Sequence, residues 1–129
     1  MSIRVVRLGT PRVEGEGLRL GTVRRPPRGV KKEDYARLNY YDVWFPELAP
    51  SAELVSQAQV EPFTDQRWAR FVKGYRAEMR DVKNQRLLAL LAALSHQTDF
   101  SVGCYCENEA RCHRSVLRVL LREHGADVL

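Results

Sequence analysis

Reactive side chains are most concentrated between Cys104 and Arg114. All three cysteines of the 129-residue chain lie in this stretch, at Cys104, Cys106 and Cys112. A secreted disulfide framework has an even number of cysteines spread through the chain, whereas here an odd number is clustered. We therefore predict reduced thiols in a cytoplasmic protein, which leaves thiol reactivity or metal binding as the chemistry to consider.

Cys112, His113 and Arg114 are predicted to lie at the start of the last helix. The unpaired N–H groups and partial positive charge of a helix N-terminus favour a thiolate, as would an imidazolium at His113 and the neighbouring Arg111. We therefore expect the pKa of Cys112 to fall below its free value of about 8.5. The same features hold an oxyanion, so Cys112 is the predicted nucleophile for an anionic substrate. Burial of Cys112 as a small apolar side chain is the alternative.

Other side chains near the thiols could assist such a reaction. Glu107 adjoins them and is the candidate general acid or base, with Asp42 as a second carboxylate to consider. Tyr105, between two of the cysteines, is either a core residue or a platform on which a base stacks.

Two rival chemistries use the same cysteines. Zinc could draw on Cys104, Cys106, Cys112 and His113. However, adjacent residues at a helix start point about 100° apart, so Cys112 and His113 can hardly share one tetrahedral ion. The single residue between Cys104 and Cys106 is also shorter than the usual zinc spacing. A redox disulfide from either of them to Cys112 needs Cα atoms within about 7 Å, which the loop permits. No metal and no cofactor is predicted.

The basic residues point to an anionic partner. The formal net charge is +5, and 17 of the 21 basic residues are arginine. Arginine binds phosphate through a planar fork, so the expected partner is an anionic small molecule or nucleic acid. Codon bias or thermal adaptation is the alternative explanation for the excess of arginine.

Residues 24–32, with the sequence RRPPRGVKK, form a second candidate site. Clustered positive charges repel one another unless something negative joins them, so this segment is either a solvated connection or an anion-binding loop. Our leading hypothesis is that Arg24 and Arg28 converge with Arg114. Together with the N–H groups at Cys112 they would bind a phosphate-bearing ligand, a nucleotide or a nucleic-acid end. A binding module without chemistry and a thiol redox protein are the alternative hypotheses.

The elements around these residues predict an α/β fold, in which residues 1–129 form a single small domain with helices packed on a short sheet. Segments rich in β-branched or aromatic residues predict strands at 3–8, 18–23, 40–45 and 100–105. The first two strands share the letters RLGT, and we predict that they form one hairpin. Apolar periodicity predicts helices from Pro50 through Val55, from the N-cap Thr64 to Met79, over 85–94 as a largely buried helix, and over 115–122.

The predicted order of elements places the site at a strand, loop and helix near the C-terminus. Ligands of α/β folds gather outside the carboxyl ends of strands, where the next helix begins. The prediction requires the last helix to begin near Cys112 and to direct its positive end into an open cleft. No segment approaches the ~20 apolar residues of a membrane span, and no signal peptide is recognisable, so no membrane partner is expected. The oligomeric state is left open.

Several segments, taken in order, resemble the domain-of-unknown-function 488 family. They are PRGVKKE at 27–33, ELAPSAEL at 47–54 and YRAEM at 75–79, which ends a helix containing Trp and Phe. The pattern of Cys104 followed by Cys112, His113 and Arg114 resembles the branch of that family with a C-terminal Cys-His-Arg motif. The resemblance covers residues 3–121. It implies a small α/β protein with its site near this motif, and no particular reaction.

The chain departs from the family pattern at two places. The family stretch Asp-Arg-x-Trp-Pro-Arg-Gly has an acid and a tryptophan where this chain has Val23 and Pro26, whereas Arg24 and Arg28 match the pattern. The other branch has asparagine-like residues in place of Cys112 and its neighbouring histidine. A Cys112 nucleophile is therefore dispensable if both branches share one activity.

Overall fold

Four short strands form one sheet. The computed structural model describes residues 1–59 and 62–129. Its strands, β1 to β4 in chain order, are Ile3–Arg7, Leu18–Gly21, Val43–Trp44 and Phe100–Cys104. All pairings are parallel, in the spatial order β1-β4-β2-β3. β4 lies between two neighbours and all five of its residues are buried, as its apolar sequence FSVGC requires.

The predicted hairpin of the first two strands is wrong. β4 separates β1 from β2, with Ile3 and Leu18 both aligned to Phe100. The reason is that the most apolar strand takes the central position, although it follows some eighty residues later in the chain. β3 is also shorter than the predicted strand over 40–45, because Tyr40 and Tyr41 pack into a small apolar cluster instead.

Side-chain caps set the starts of three helices. α1 (Ala52–Ala58) begins after Ser51, whose hydroxyl accepts the N–H of Leu54, so Pro50 precedes the helix and the prediction that it lies in the first turn is wrong. α2 (Asp65–Met79) begins after Thr64, as predicted. α3 (Val82–Leu94) begins three residues earlier than predicted, because Asp81 caps it.

The third helix tests the predicted burial, and the last helix tests the predicted helix start. α3 is not largely buried, since Leu90 and Leu94 are 54% and 38% exposed. α4 (His113–Glu123) begins immediately after Cys112, which confirms the predicted helix start. It ends before Gly125, whose φ of 90° suits a glycine after a helix.

Apolar residues form two clusters. The larger one lies between the sheet and the helices and includes Tyr75, Leu88, Val102 and Leu117. The smaller one lies at the carboxyl edge of the sheet, and its buried members are Leu8, Val23, Tyr41, Cys104 and Cys112. The predicted class, a small α/β sheet with helices packed on it, is thus confirmed. Among the described residues no helix is both long and apolar enough to cross a membrane.

Candidate functional site

Parallel pairing brings the carboxyl ends of the strands to one edge of the sheet, and the cysteines lie there. β4 ends at Cys104, whose carbonyl accepts the N–H of Leu8 at 2.9 Å. On the other side, the N–H of Thr22 donates to the carbonyl of Gly103 at 3.0 Å. The end of the cysteine-bearing strand is therefore held from both neighbouring strands, at the place where α/β folds bind ligands.

The three cysteine sulfurs form one cluster, in which all Sγ atoms lie within 4.8 Å of one another. The sulfurs of Cys104 and Cys112 are 2.9 Å apart, and the N–H of Cys106 donates to the sulfur of Cys104 at 3.3 Å. No disulfide joins them. Cys104 and Cys112 are buried, whereas Cys106 is exposed. The expectation that Cys112 opens into a cleft is therefore wrong, since it is only 2% exposed.

Negative charge in this cluster favours the exposed sulfur. Hydrogen bonds with Cys104 and Cys112 lower the pKa of Cys106 well below its ordinary value, although burial opposes this shift. Hydrogen bonds with Cys106 and Cys112, together with burial, raise the pKa of Cys104. The hydrogen bond from Cys104 lowers the pKa of Cys112, but the hydrogen bond with Cys106 and burial raise it more. The predicted fall in the pKa of Cys112 is therefore wrong.

His113 is a buried, neutral imidazole. Burial lowers its pKa to about 4, so the predicted imidazolium does not form near neutral pH. Its Nε2 lies 2.8 Å from the carbonyl of Thr22, and its ring packs edge-on against Tyr75. With the Nε2 proton donated to that carbonyl, Nδ1 carries a lone pair 3.6 Å from the sulfur of Cys112. His113 is therefore held by Thr22 and Tyr75 and does not add positive charge to the site near neutral pH.

Arg114 is a buried cation that has no carboxylate partner among residues 1–59 and 62–129. It is 3% exposed, and its Nη2 donates to the carbonyl of Cys106 at 2.6 Å. Its Nε is buried and has no hydrogen-bond partner among the described residues, and none of their carboxylates pairs with it. A buried charge requires a compensating charge, so this guanidinium needs a thiolate or a bound anion beside it.

The convergence of Arg24 and Arg28 with Arg114 stays a prediction, because no contact among the described residues joins them. Arg24 donates to the carbonyls of Ala49 and Pro50, at 3.0 and 3.1 Å, before α1. Arg28 is exposed, without a hydrogen bond or ion pair to any described residue. An open cavity of about 760 Å³ lies beside Arg24, but its lining carries both signs of charge and no cysteine. We therefore place the candidate site at the cysteines.

The two candidate carboxylates have different surroundings. Glu107 is exposed beside the thiols, and within 1–59 and 62–129 it has no hydrogen-bonded partner. Burial alone would raise the pKa of Asp42, but hydrogen bonds from Arg12 and from the N–H of Arg19 lower it. Asp42 is thus committed to an ion pair with Arg12 at 2.8 Å, whereas Glu107 is free to approach a ligand.

Sequence reasoning missed Thr22 and Tyr75, which surround the imidazole of His113. Thr22 belongs to the repeated RLGT segment, but no signal in the sequence indicates that it contacts His113, which lies 91 positions later. The loop between Cys106 and α4 is also held in place by residues outside the Cys-His-Arg motif. Glu109 binds the guanidinium of Arg118 at 3.0 Å, which holds this loop against α4.

The donor set for a metal is three sulfurs, without a nitrogen. Thiolates suit soft ions, and three sulfurs within 4.8 Å of one another could be drawn onto one ion. His113 does not complete a set of four: its Nδ1 is 3.6 Å from the Cys112 sulfur, but neither ring nitrogen belongs to the group of ligand atoms that all lie within 4.8 Å of one another. The four-ligand zinc site considered from the sequence is therefore not assembled.

Comparison with known proteins identifies the family. No curated protein and no solved structure shows significant similarity to the chain. The model of DUF488-N3a, described as the active DUF488-N3 subclade, matches residues 3–125. That range includes every strand, every α-helix and the three-cysteine cluster. The chain therefore belongs to the DUF488-N3a family, a domain-of-unknown-function family.

Proposed function

We propose that the protein binds a phosphate-bearing ligand at the three-cysteine cluster and that Cys106 attacks it as a thiolate. The observation that carries the proposal is the buried guanidinium of Arg114, which has no carboxylate partner and an unpartnered Nε among the described residues. A phosphate beside the exposed Cys106 would bring negative charge close to this guanidinium and so compensate it electrostatically. The family description as an active subclade supports a chemical role over a purely structural one.

Cys106 replaces Cys112 as the proposed nucleophile because of burial. A ligand can reach the exposed sulfur of Cys106, whereas Cys112 is enclosed by the smaller apolar cluster. The two buried thiols can donate S–H groups to a Cys106 thiolate, and Arg114 provides the opposite charge nearby. Cys112 and His113 then act as positioning residues, and Glu107 is the proposed general acid or base.

The first turn of α4 adds to the anion site. α4 has eleven residues and starts immediately after Cys112, so the positive end of the helix lies next to the cluster. It adds partial positive charge to that of Arg114. The orphaned Nε of Arg114 is independent evidence for an anion here, since a helix terminus alone is common in proteins.

The proposed step is a nucleophilic displacement at phosphorus. The Cys106 sulfur donates an electron pair to phosphorus while the P–O bond to the leaving group breaks, and the departing oxygen takes that bond's electrons and a proton from Glu107 or water. Water then cleaves the S–P bond, releasing phosphate and restoring the thiolate. Arg114 and the helix N–H groups stabilise the negative oxygens during both steps.

Competition between alkylation and phosphate tests the proposal. Iodoacetamide followed by peptide mapping should modify Cys106 first, and millimolar inorganic phosphate should slow that modification severalfold. Arg114→Gln should remove the protection by phosphate. Arg122→Gln, an exposed position on the same helix, should retain it and serves as the matched control.

Three results would contradict this proposal. One is equal alkylation of all three cysteines, and the second is alkylation that phosphate does not change. The third is one tightly bound metal ion per chain that blocks alkylation until a chelator is added. Arg114→Lys, which keeps the charge, separates loss of phosphate binding from misfolding if Arg114→Gln is unstable.

A second candidate function is dithiol redox exchange, which the 2.9 Å separation of the Cys104 and Cys112 sulfurs favours. With oxidised glutathione as the oxidant, the two thiols would lose two electrons and two protons to form one disulfide, and two glutathione thiols would be released. Intact mass should then fall by about two hydrogens while Cys106 stays open to alkylation. Oxidation that requires Cys106 would instead exclude this pair.

A further inference from the structure

We infer that the phosphate-bearing ligand is single-stranded nucleic acid, held along the basic loop (residues 24–32) with bases stacked on Trp44 and Tyr105. This inference rests on the proposed function, because it names the ligand class of that same site. It is carried by the position of the loop, by its unpaired charges and by two aromatic rings fixed against it.

The basic loop lies beside the cysteine cluster. It follows β2, which is adjacent to β4, and parallel strands deliver both of their following loops to the same edge of the sheet. The hydroxyl of Tyr105, between Cys104 and Cys106, donates to the carbonyl of Arg25 at 2.9 Å. A polyanion on this loop therefore passes close to the proposed nucleophile.

The loop's positive charges are available to a partner. The side chains of Arg25, Arg28, Lys31 and Lys32 are exposed, and none forms a hydrogen bond or ion pair with any residue of 1–59 or 62–129. Some arginines elsewhere are paired, as Arg76 is with Glu123 and Arg118 with Glu109. Two carboxylates follow the loop, Glu33 and Asp34, and Asp34 is occupied by Arg37. Four neighbouring free cations suit a chain of phosphates better than a single one.

Two aromatic rings are anchored to the same loop. The indole Nε1 of Trp44 donates to the carbonyl of Val23 at 2.8 Å, directly before the loop begins. Trp44 is nevertheless 44% exposed, because its strand is at the edge of the sheet. Tyr105, anchored to the Arg25 carbonyl, is half-buried and has the ring of Tyr40 against it at 6.2 Å.

This combination distinguishes a single strand from other polyanions. Fixed rings beside a basic track are the elements by which proteins bind single strands, since unpaired bases stack on the rings while phosphates follow the charges. A duplex keeps its bases stacked internally and offers only its phosphates to such a loop. A mononucleotide would use the cluster but few of the loop's cations.

Salt titration of binding tests the inference. Fluorescence anisotropy would follow a labelled twelve-nucleotide oligo(dT) and oligo(U) binding to the full chain between 50 and 300 mM salt. Log affinity should fall linearly with log salt, with a slope of about −0.7 for each phosphate contacted. Replacing Arg25, Arg28, Lys31 and Lys32 by Ala should reduce that slope by about 2 to 3 and weaken binding at least tenfold at low salt.

Matched variants separate this site from general charge effects. Ala at Lys73, Arg80, Lys83 and Arg86, four exposed cations on or next to α2 and α3, removes the same charge and should leave the slope unchanged. Trp44→Ala should weaken binding about tenfold without changing the slope, and Trp44→Phe should restore most of it. Equal slopes for the two quadruple variants, or equal affinity for a duplex of the same length, would overturn the inference.

The experiment also separates this inference from the thiol chemistry. Phosphate-protected alkylation of Cys106 without any oligonucleotide binding would overturn the inference and leave the proposed function standing. Salt-dependent binding through the loop, with no selective alkylation of Cys106, would remove the chemistry and leave a binding module.

Discussion

Two buried arginines in this protein have opposite surroundings. Arg19 is 1% exposed, and its guanidinium binds the carboxylate of Glu16 together with the carbonyls of Thr10, Pro11 and Asn39. Arg114 is 3% exposed and has one backbone carbonyl as its hydrogen-bond partner, with Nε left over. Within the described structure, the first charge is fully compensated and the second is not.

The difference separates a structural cation from a functional one. A buried guanidinium that is fully paired holds loops together and has nothing left to offer a ligand. A buried guanidinium beside three thiols, with an unpartnered donor, keeps an unfavourable electrostatic term that a thiolate or an anion would remove.

The largest effect is expected at the fully paired arginine. Arg19→Met would leave Glu16 charged, buried and uncompensated, and should lower the free energy of unfolding by about 3–5 kcal/mol. Urea denaturation followed by circular dichroism measures the change. The double variant with Glu16→Gln should recover part of the loss because no charge then remains buried. A loss below about 1 kcal/mol for Arg19→Met would show that Arg19 is not the structural cation.

The same substitution at Arg114 should lower the free energy of unfolding by less. Arg114→Met loses the hydrogen bond to the Cys106 carbonyl, but it also removes a poorly compensated buried charge, so we expect a loss of at most about 2 kcal/mol. Urea denaturation in phosphate and in a buffer without it should show stabilisation by phosphate for the wild type and none for Arg114→Met. If Arg19→Met and Arg114→Met lower the free energy of unfolding equally, the contrast between the two sites is wrong.

Local features of the candidate site could be predicted from the sequence, whereas contacts between residues distant in sequence could not. The strand before Cys104 and the helix after Cys112 are set by nearby residues, so both were predicted to within a few positions. Burial of Cys112 depends on Leu8 and Tyr41, which are distant in sequence, and no local pattern reports such contacts. The same limitation applied to β2, where the insertion of β4 replaced the expected hairpin.

The burial of Arg19 could not be predicted for a related reason. Its strand alternates between Leu18 and Leu20, which is typical of a half-buried strand with a solvent-exposed arginine. In the structure Leu18 is 58% exposed and Arg19 is buried, because the segments around Thr10 and Asn39 cover that face of the sheet. Only the completed fold distinguishes this arginine from the solvated ones.

A pH titration of stability should report the paired site. Burial alone would raise the pKa of Glu16, but its hydrogen bonds from Arg19 and the N–H of Val13 lower it below its ordinary value of 4.5. A carboxyl whose pKa is lower in the folded state stabilises the fold above its unfolded pKa, and that contribution is lost as pH falls through the folded one. Below about pH 4.5 the wild type should therefore lose at most about 1.4 kcal/mol per pH unit through this group.

The control for this titration is the isosteric neutral residue. Glu16→Gln should show a shallower dependence of unfolding free energy on pH below 4.5, with the remaining slope due to groups such as Asp42, whose pKa is also lowered. Arg114→Met should keep the slope of the wild type, because no carboxylate of the described chain pairs with it. Parallel slopes for the wild type and Glu16→Gln would contradict the role given to Glu16.

The smallest effect is expected at Arg111, an exposed arginine in the loop that also carries Cys106. Its guanidinium lies over the ring of Phe63, 4.1 Å from the ring centroid, so it ties this loop to the segment before α2. An exposed contact of this kind contributes about 0.5–1 kcal/mol, well below either buried arginine. A double-mutant cycle with Arg111→Ala and Phe63→Leu should return a coupling energy of that size by urea denaturation. Because the ring bears no charge, the coupling should also persist at high salt far better than phosphate binding at Arg114 does. A zero coupling energy would mean that the contact between Arg111 and Phe63 does not stabilise the loop.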